Sequence, residues 1–153
     1  MKPIELNQTF LLVLLISPLI GMTGAAVMTG INAWTGAPLS SWENLTQTTS
    51  AFIGAASSGA VLSGCFGHLR RRGYLFAALG GVVATSLGAF LGAATYFSAF
   101  EGYSVGSILS DALIAAIIIP IMTASSPPSA AAWLIGMLAA HVAAKGLRNR
   151  LQR

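Results

Sequence analysis

Apolar residues in this chain fall into long runs rather than into the three-or-four-residue rhythm of a half-buried helix. The first extends from Phe10 to Ile31, interrupted by Pro18, Gly21 and Gly24. A second covers Ala51 to Leu69 and a third Tyr74 to Phe97. Two shorter runs, Ile108 to Met122 and Ala130 to Ala144, lie on either side of Thr123-Ala124-Ser125-Ser126-Pro127-Pro128-Ser129. Crossing a hydrocarbon core of about 30 Å takes roughly 20 residues of helix. In that solvent every backbone N–H and C=O needs a partner within the protein, so the runs are helices unless they alternate as barrel strands do. None alternates. The pattern predicts an all-α polytopic membrane helix bundle, a single transmembrane domain over residues 1–153.

The segments between runs agree. Asn32 to Gln47 is polar and aromatic, with Trp34 and Trp42 placed as interfacial anchors. His68-Leu69-Arg70-Arg71-Arg72-Gly73 makes a tight basic turn between the second and third runs. The first run continues past Gly24-Ala25-Ala26, where a leader would be cut, and Glu5 precedes it, so it reads as an uncleaved span.

The last two runs need a decision. Each is about 15 residues, or about 22 Å as helix, too short for a straight crossing. Two consecutive prolines also forbid one unbroken helix through both. Charge decides between the topologies. Seven of the eight basic residues form two clusters, Arg70 to Arg72 and Lys145 to Arg153, and the acids Glu43 and Glu101 fall in the intervening loops. Four crossings, the last a Pro-broken or re-entrant element around Ser125–Ser129, put both clusters, Lys2 and both termini in the cytoplasm. Five short spans put the basic tail outside. The charge pattern favours four, in a plasma membrane of the bacterial inner-membrane kind.

Composition removes several function classes. Charged residues make up 8% of the chain and hydrophobic ones 55%. The net charge of +4 resides in short clusters beside apolar runs, so it reads as contact with lipid headgroups of the bilayer and not with nucleic acid. One cysteine, Cys65, allows neither an internal disulfide nor a multi-cysteine metal site. With four acids, two of them (Glu43 and Glu101) in outer loops across the membrane from both histidines, no catalytic pair, triad or ligand set assembles, so neither an enzyme nor a cofactor is expected.

Three features remain as candidate sites. Asp111 is the acid inside an apolar run; it reads either as part of an ion or proton pathway or, with Ser107 and Ser110, as a cap on its helix. Ser125, Ser126, Pro127, Pro128 and Ser129 read either as a mid-membrane break that exposes backbone groups and hydroxyls, or as a plain turn. Gly88 and Gly92 form a small-xxx-small motif, predicted at a close helix contact between the second and third spans. His141 shares a helical face with Lys145 and Arg148 and reads as the polar stripe of a helix leaving the membrane.

These features lead to a small multi-pass protein that works as a homo-oligomer or as an accessory subunit among other membrane subunits. The abundance of glycine, 17 residues, is the reason. A small channel or transporter using Asp111 and the Ser125–Ser129 break is the alternative, and a holin-like or toxin-immunity protein the third.

Overall fold

The computed structural model describes residues 3–68, 72–99 and 102–151. Lys2, Arg70, Arg71, Glu101 and Arg153, on which the charge argument drew, lie outside them. The described chain forms α1 (Pro3–Thr35), α2 (Trp42–Leu62), a 3-10 turn (Ser63–Cys65), α3 (Arg72–Ser98), α4 (Val105–Ser125) and α5 (Pro127–Leu151). Helices α1, α3, α4 and α5 are each long and apolar enough to cross a membrane. The chain is a multi-pass, all-α membrane protein.

Side-chain contacts give the direction of each helix. Gly21 lies against Phe52 and Ala56, and Asn32 donates to Gln47 at 3.3 Å, so α2 runs back along α1. Gly54 meets Gly88 and Gly92, while Gly80 meets Cys65, so α3 runs back along α2. Helix α5 pairs Ser129 with Gly30 and Gly136 with Thr23, antiparallel to α1. It also pairs Trp133 with Thr85 and His141 with Tyr74, antiparallel to α3. Helix α4 packs on α3 after a short loop, with Thr123 and Pro120 beside Val82 and Thr85. Helices α4 and α5 therefore run in the same sense. The chain does not turn back at Ser126.

The bundle is thus traversed four times, by α1, α2, α3 and the α4–α5 pair. Of the topologies read from the sequence, the broken element is the one adopted, and neither a re-entrant loop nor five alternating spans occurs. The two runs judged too short for a crossing are in fact helices of 21 and 25 residues, about 31 and 37 Å long. The helix accommodates Thr123 and Ser125, whose hydroxyls are satisfied by donating back to the Ile119 and Ile121 carbonyls. Pro127 and Pro128 open α5, where the first N–H groups have no intrahelical acceptor to lose. Ser126 is the single residue between the helices. Its N–H donates to Met122 O and its carbonyl accepts from Ala130 N, so it ends one helix and starts the next.

Helix α2 departs from expectation in the other direction. The run Ala51–Leu69 was to be the second span, but the helix starts at Trp42 and stops at Leu62. Ser41 caps it by accepting from Asn44 N at 3.2 Å, which carries the polar stretch Trp42–Ser50 into the helix. Tryptophans 34 and 42 remain exposed at the loop, 60% and 78%. Small buried residues, Gly54, Ala55, Ser58 and Gly59, let α2 lie between α1 and α3.

The ends of the bundle differ in charge. At one end the 3-10 turn and the C-terminal turns of α5 come together, with Arg148 donating to Gly64 O at 3.1 Å. Lys145 and Arg150 are near it in the chain. Glu43 opens α2 at the opposite end.

Candidate functional site

At mid-bundle the helices do not close. A cavity of about 220 Å³ is bounded by Ile20 and Val27 of α1, Ala51 of α2, Ala89 of α3, Ile119 of α4 and Met137 of α5. Its existence follows from side-chain size. On its α2 and α3 walls alanine and glycine predominate, and Gly54 holds these two helices in near backbone contact, so the remaining width falls on the far side toward α4 and α5. Helices α4 and α5 touch each other little, and α4 packs chiefly on α3 while α5 packs on α1. Nothing large fills the space between them.

No charged side chain among the described residues lines the cavity. Polar atoms enter at a few points, and most are already satisfied. Thr85 donates to Gly81 O and receives Trp133 Nε1 at 2.7 Å, and Thr23 donates to Leu19 O. Gln47 accepts from Asn32 and donates to Glu43 at 3.4 Å. Ser50 differs. It is buried, 6% exposed, it lines the cavity, and its hydroxyl makes no hydrogen bond among the described residues. The neighbouring hydroxyls of α2 at Thr46, Thr49, Ser57 and Ser58 all donate to backbone carbonyls of their own helix.

The helix break adjoins this space. Ser126 and Ser129 are buried, their hydroxyls 2.9 Å apart, and Ser129 Oγ donates to Val27 O of α1 at 3.1 Å. These hydroxyls tie α5 to α1 and are not free for a ligand. Ser125, Pro127 and Pro128 are exposed on the outer surface.

Asp111 is elsewhere. Ser104, not Asp111, caps α4, accepting from Ser107 N at 3.2 Å. Asp111 is half-buried, makes no hydrogen bond or ion pair with described residues, and does not line the cavity. Fourteen residues of helix, about 21 Å, separate it from Ser125, so the two parts of the proposed transport pathway are not brought together. Gly88 and Gly92 lie at the α2–α3 contact: a Cβ at Gly88 would meet Ala55 Cα at 3.0 Å, and one at Gly92 the Ser50 carbonyl oxygen at 2.9 Å.

His141 corrects the sequence reading. It is 2% exposed and not part of a polar stripe. Its Nδ1 accepts from Gly67 N at 3.3 Å, and its ring packs on Tyr74 with centroids 4.7 Å apart. Gly67 has φ +77 and lies against Ala144, so the turn fits beneath α5 only with a residue lacking Cβ. His68 is exposed and packs on Phe76.

The cavity and Ser50 escaped the sequence reading. Trp133 was the available signal. A tryptophan in the interior of an apolar run, away from the interface, needs an acceptor for its indole N–H and marks polar groups inside the bundle. The chain matches no protein-family model, and no curated protein or solved structure is significantly similar to it.

Proposed function

We propose that the protein is a non-enzymatic carrier or transporter that holds a small apolar or amphiphilic molecule in the cavity between its five helices. The cavity is the observation that carries this reading. At about 220 Å³ it exceeds the ~150 Å³ apolar protein cavity known to take up benzene, and its walls come from every helix of the chain. Its position beside a broken helix also resembles the general plan of transporter sites. The earlier preference for an oligomer or accessory subunit rested on small-residue faces. Those faces are used within the chain: Gly24, Gly30, Gly54, Gly59, Gly88, Gly92 and Gly136 all contact other helices of the same bundle.

Native mass spectrometry of the full chain, extracted in a mild detergent, tests the reading. Wild type should retain a small molecule that Ala89→Leu, which fills the cavity, loses. A chain empty in both forms, or one bound to a stoichiometric partner polypeptide, overturns it.

The membrane in this reading is a plasma membrane of the bacterial inner-membrane kind, with the cationic end in the cytoplasm. In a Cys65→Ser background, a cysteine at Asn149 is expected to resist an impermeant thiol reagent in intact cells while one at Leu39 reacts. Labelling of position 149 from outside reverses the orientation.

A further inference from the structure

We infer that the cavity selects an uncharged molecule with an apolar body and one hydroxyl or carbonyl group, which Ser50 hydrogen-bonds. The inference rests on the cavity being a binding site, and adds the chemistry of what it takes. Two observations carry it. First, among the described residues no aspartate, glutamate, lysine, arginine or histidine lines the cavity. An ion placed there would lose its hydration and gain no counter-charge, a loss that strongly disfavours ionised ligands. Second, Ser50 is more than nine-tenths buried, faces the cavity, and leaves its hydroxyl unbonded.

That hydroxyl has a ready alternative which it does not use. Serine and threonine in a helix often donate to a carbonyl three or four residues back, as Thr46, Thr49, Ser57 and Ser58 of α2 do. Ser50 shares its lack of such a bond with the half-buried Thr48 but, unlike Thr48, lines the cavity. Ser50 keeps a donor and two lone pairs available to the space in front of it. The oxygen is not sealed in: among the described residues the buried side-chain atoms without a partner are His141 Nε2 and Arg148 Nε, whereas Ser50 Oγ keeps an accessible surface toward the cavity. A ligand oxygen can pair with it there, and a purely apolar ligand covers it without a partner and takes the desolvation cost. Trp133, also on the cavity wall, gives an optical reporter of occupancy.

The test uses the full chain in nanodiscs, with Trp34 and Trp42 changed to Phe so that Trp133 alone emits. The probes are 6-bromohexan-1-ol, ionised 6-bromohexanoate at pH 8, and 6-bromohexyltrimethylammonium, whose bromine quenches tryptophan at contact. The alcohol should quench saturably, at a half-saturating concentration at least about tenfold below either ion. Ser50→Ala should raise that concentration about two- to tenfold, as loss of one net hydrogen bond does. Ala89→Leu should remove the saturable component. Equal quenching by alcohol and ions, or an unchanged Ser50→Ala variant, overturns the selectivity while leaving the cavity as a binding site. No saturable quenching of wild type by any probe overturns the carrier reading as well.

Discussion

Gly54→Leu is expected to leave almost no folded protein. A Cβ at this position falls on the Gly88 carbonyl oxygen and on the Gly92 amide nitrogen and Cα of α3. These are backbone atoms and cannot rotate aside. Overpacking costs about 1–3 kcal/mol even where side chains can shift. Here two helix backbones must separate, and the close van der Waals contact that holds helices together in lipid is lost along the seam. Gly54→Ala should already be severe, because the first side-chain carbon is the offending one. Gly88→Ala should be milder, since its Cβ meets Ala55 Cα at 3.0 Å and the rotatable Ser58 hydroxyl at 3.2 Å. Gly146→Ala is the control: nothing lies within 4 Å of its Cβ, and alanine favours helix over glycine by about 1 kcal/mol. Yield of monodisperse protein and thermal midpoint in one detergent give the ranking. A Gly54→Leu chain as stable as wild type contradicts the packing of α2 on α3.

His141→Ala should destabilise the chain by about 3 kcal/mol. Truncating a large buried side chain leaves a cavity worth roughly 2–5 kcal/mol. The Gly67 N–H, which donates to Nδ1, also loses its acceptor in a buried position. Position 141 holds the turn after α2 against the last turns of α5, together with the Arg148 bond to Gly64 O. His141→Asn separates the two contributions, because its amide oxygen can take the place of Nδ1 while the ring contact with Tyr74 is lost. Asparagine should therefore fall between histidine and alanine in detergent unfolding midpoints. Equal losses for the two variants would assign the whole effect to ring packing.

Element type was legible in the sequence because the bilayer imposes it. Runs of the length of Phe10–Ile31 and Tyr74–Phe97 have one solution in lipid. Helix ends were less legible. Serine and threonine read as polar interruptions at Thr123 and Ser125, yet their hydroxyls are satisfied within the helix, which runs through both. The run through Ser63 to Leu69 scored as span, yet a 3-10 turn and a left-handed Gly67 end α2. The cavity was not legible at all. It depends on which faces of five helices meet, and on small residues whose effect appears only when three elements are packed together. His141 failed for a related reason. A helical face shared with lysine and arginine suggests water, but an acceptor was needed there by the amide of Gly67, which comes from a distant part of the chain.

The shared cap at Ser126 has a consequence for parity. The bundle has five helices, an odd number, yet α1 begins and α5 ends at the same end because α4 and α5 run in the same sense and together make one traverse. A count based on apolarity also arrives at an even number, four, but by a different route: it omits α2, whose first turns are too polar, and scores α4 and α5 separately. Two errors of opposite sign cancel. Were α2 more apolar, or Ser126 a true reversal, the same counting would place the end of α5 at the wrong end of the bundle relative to the start of α1.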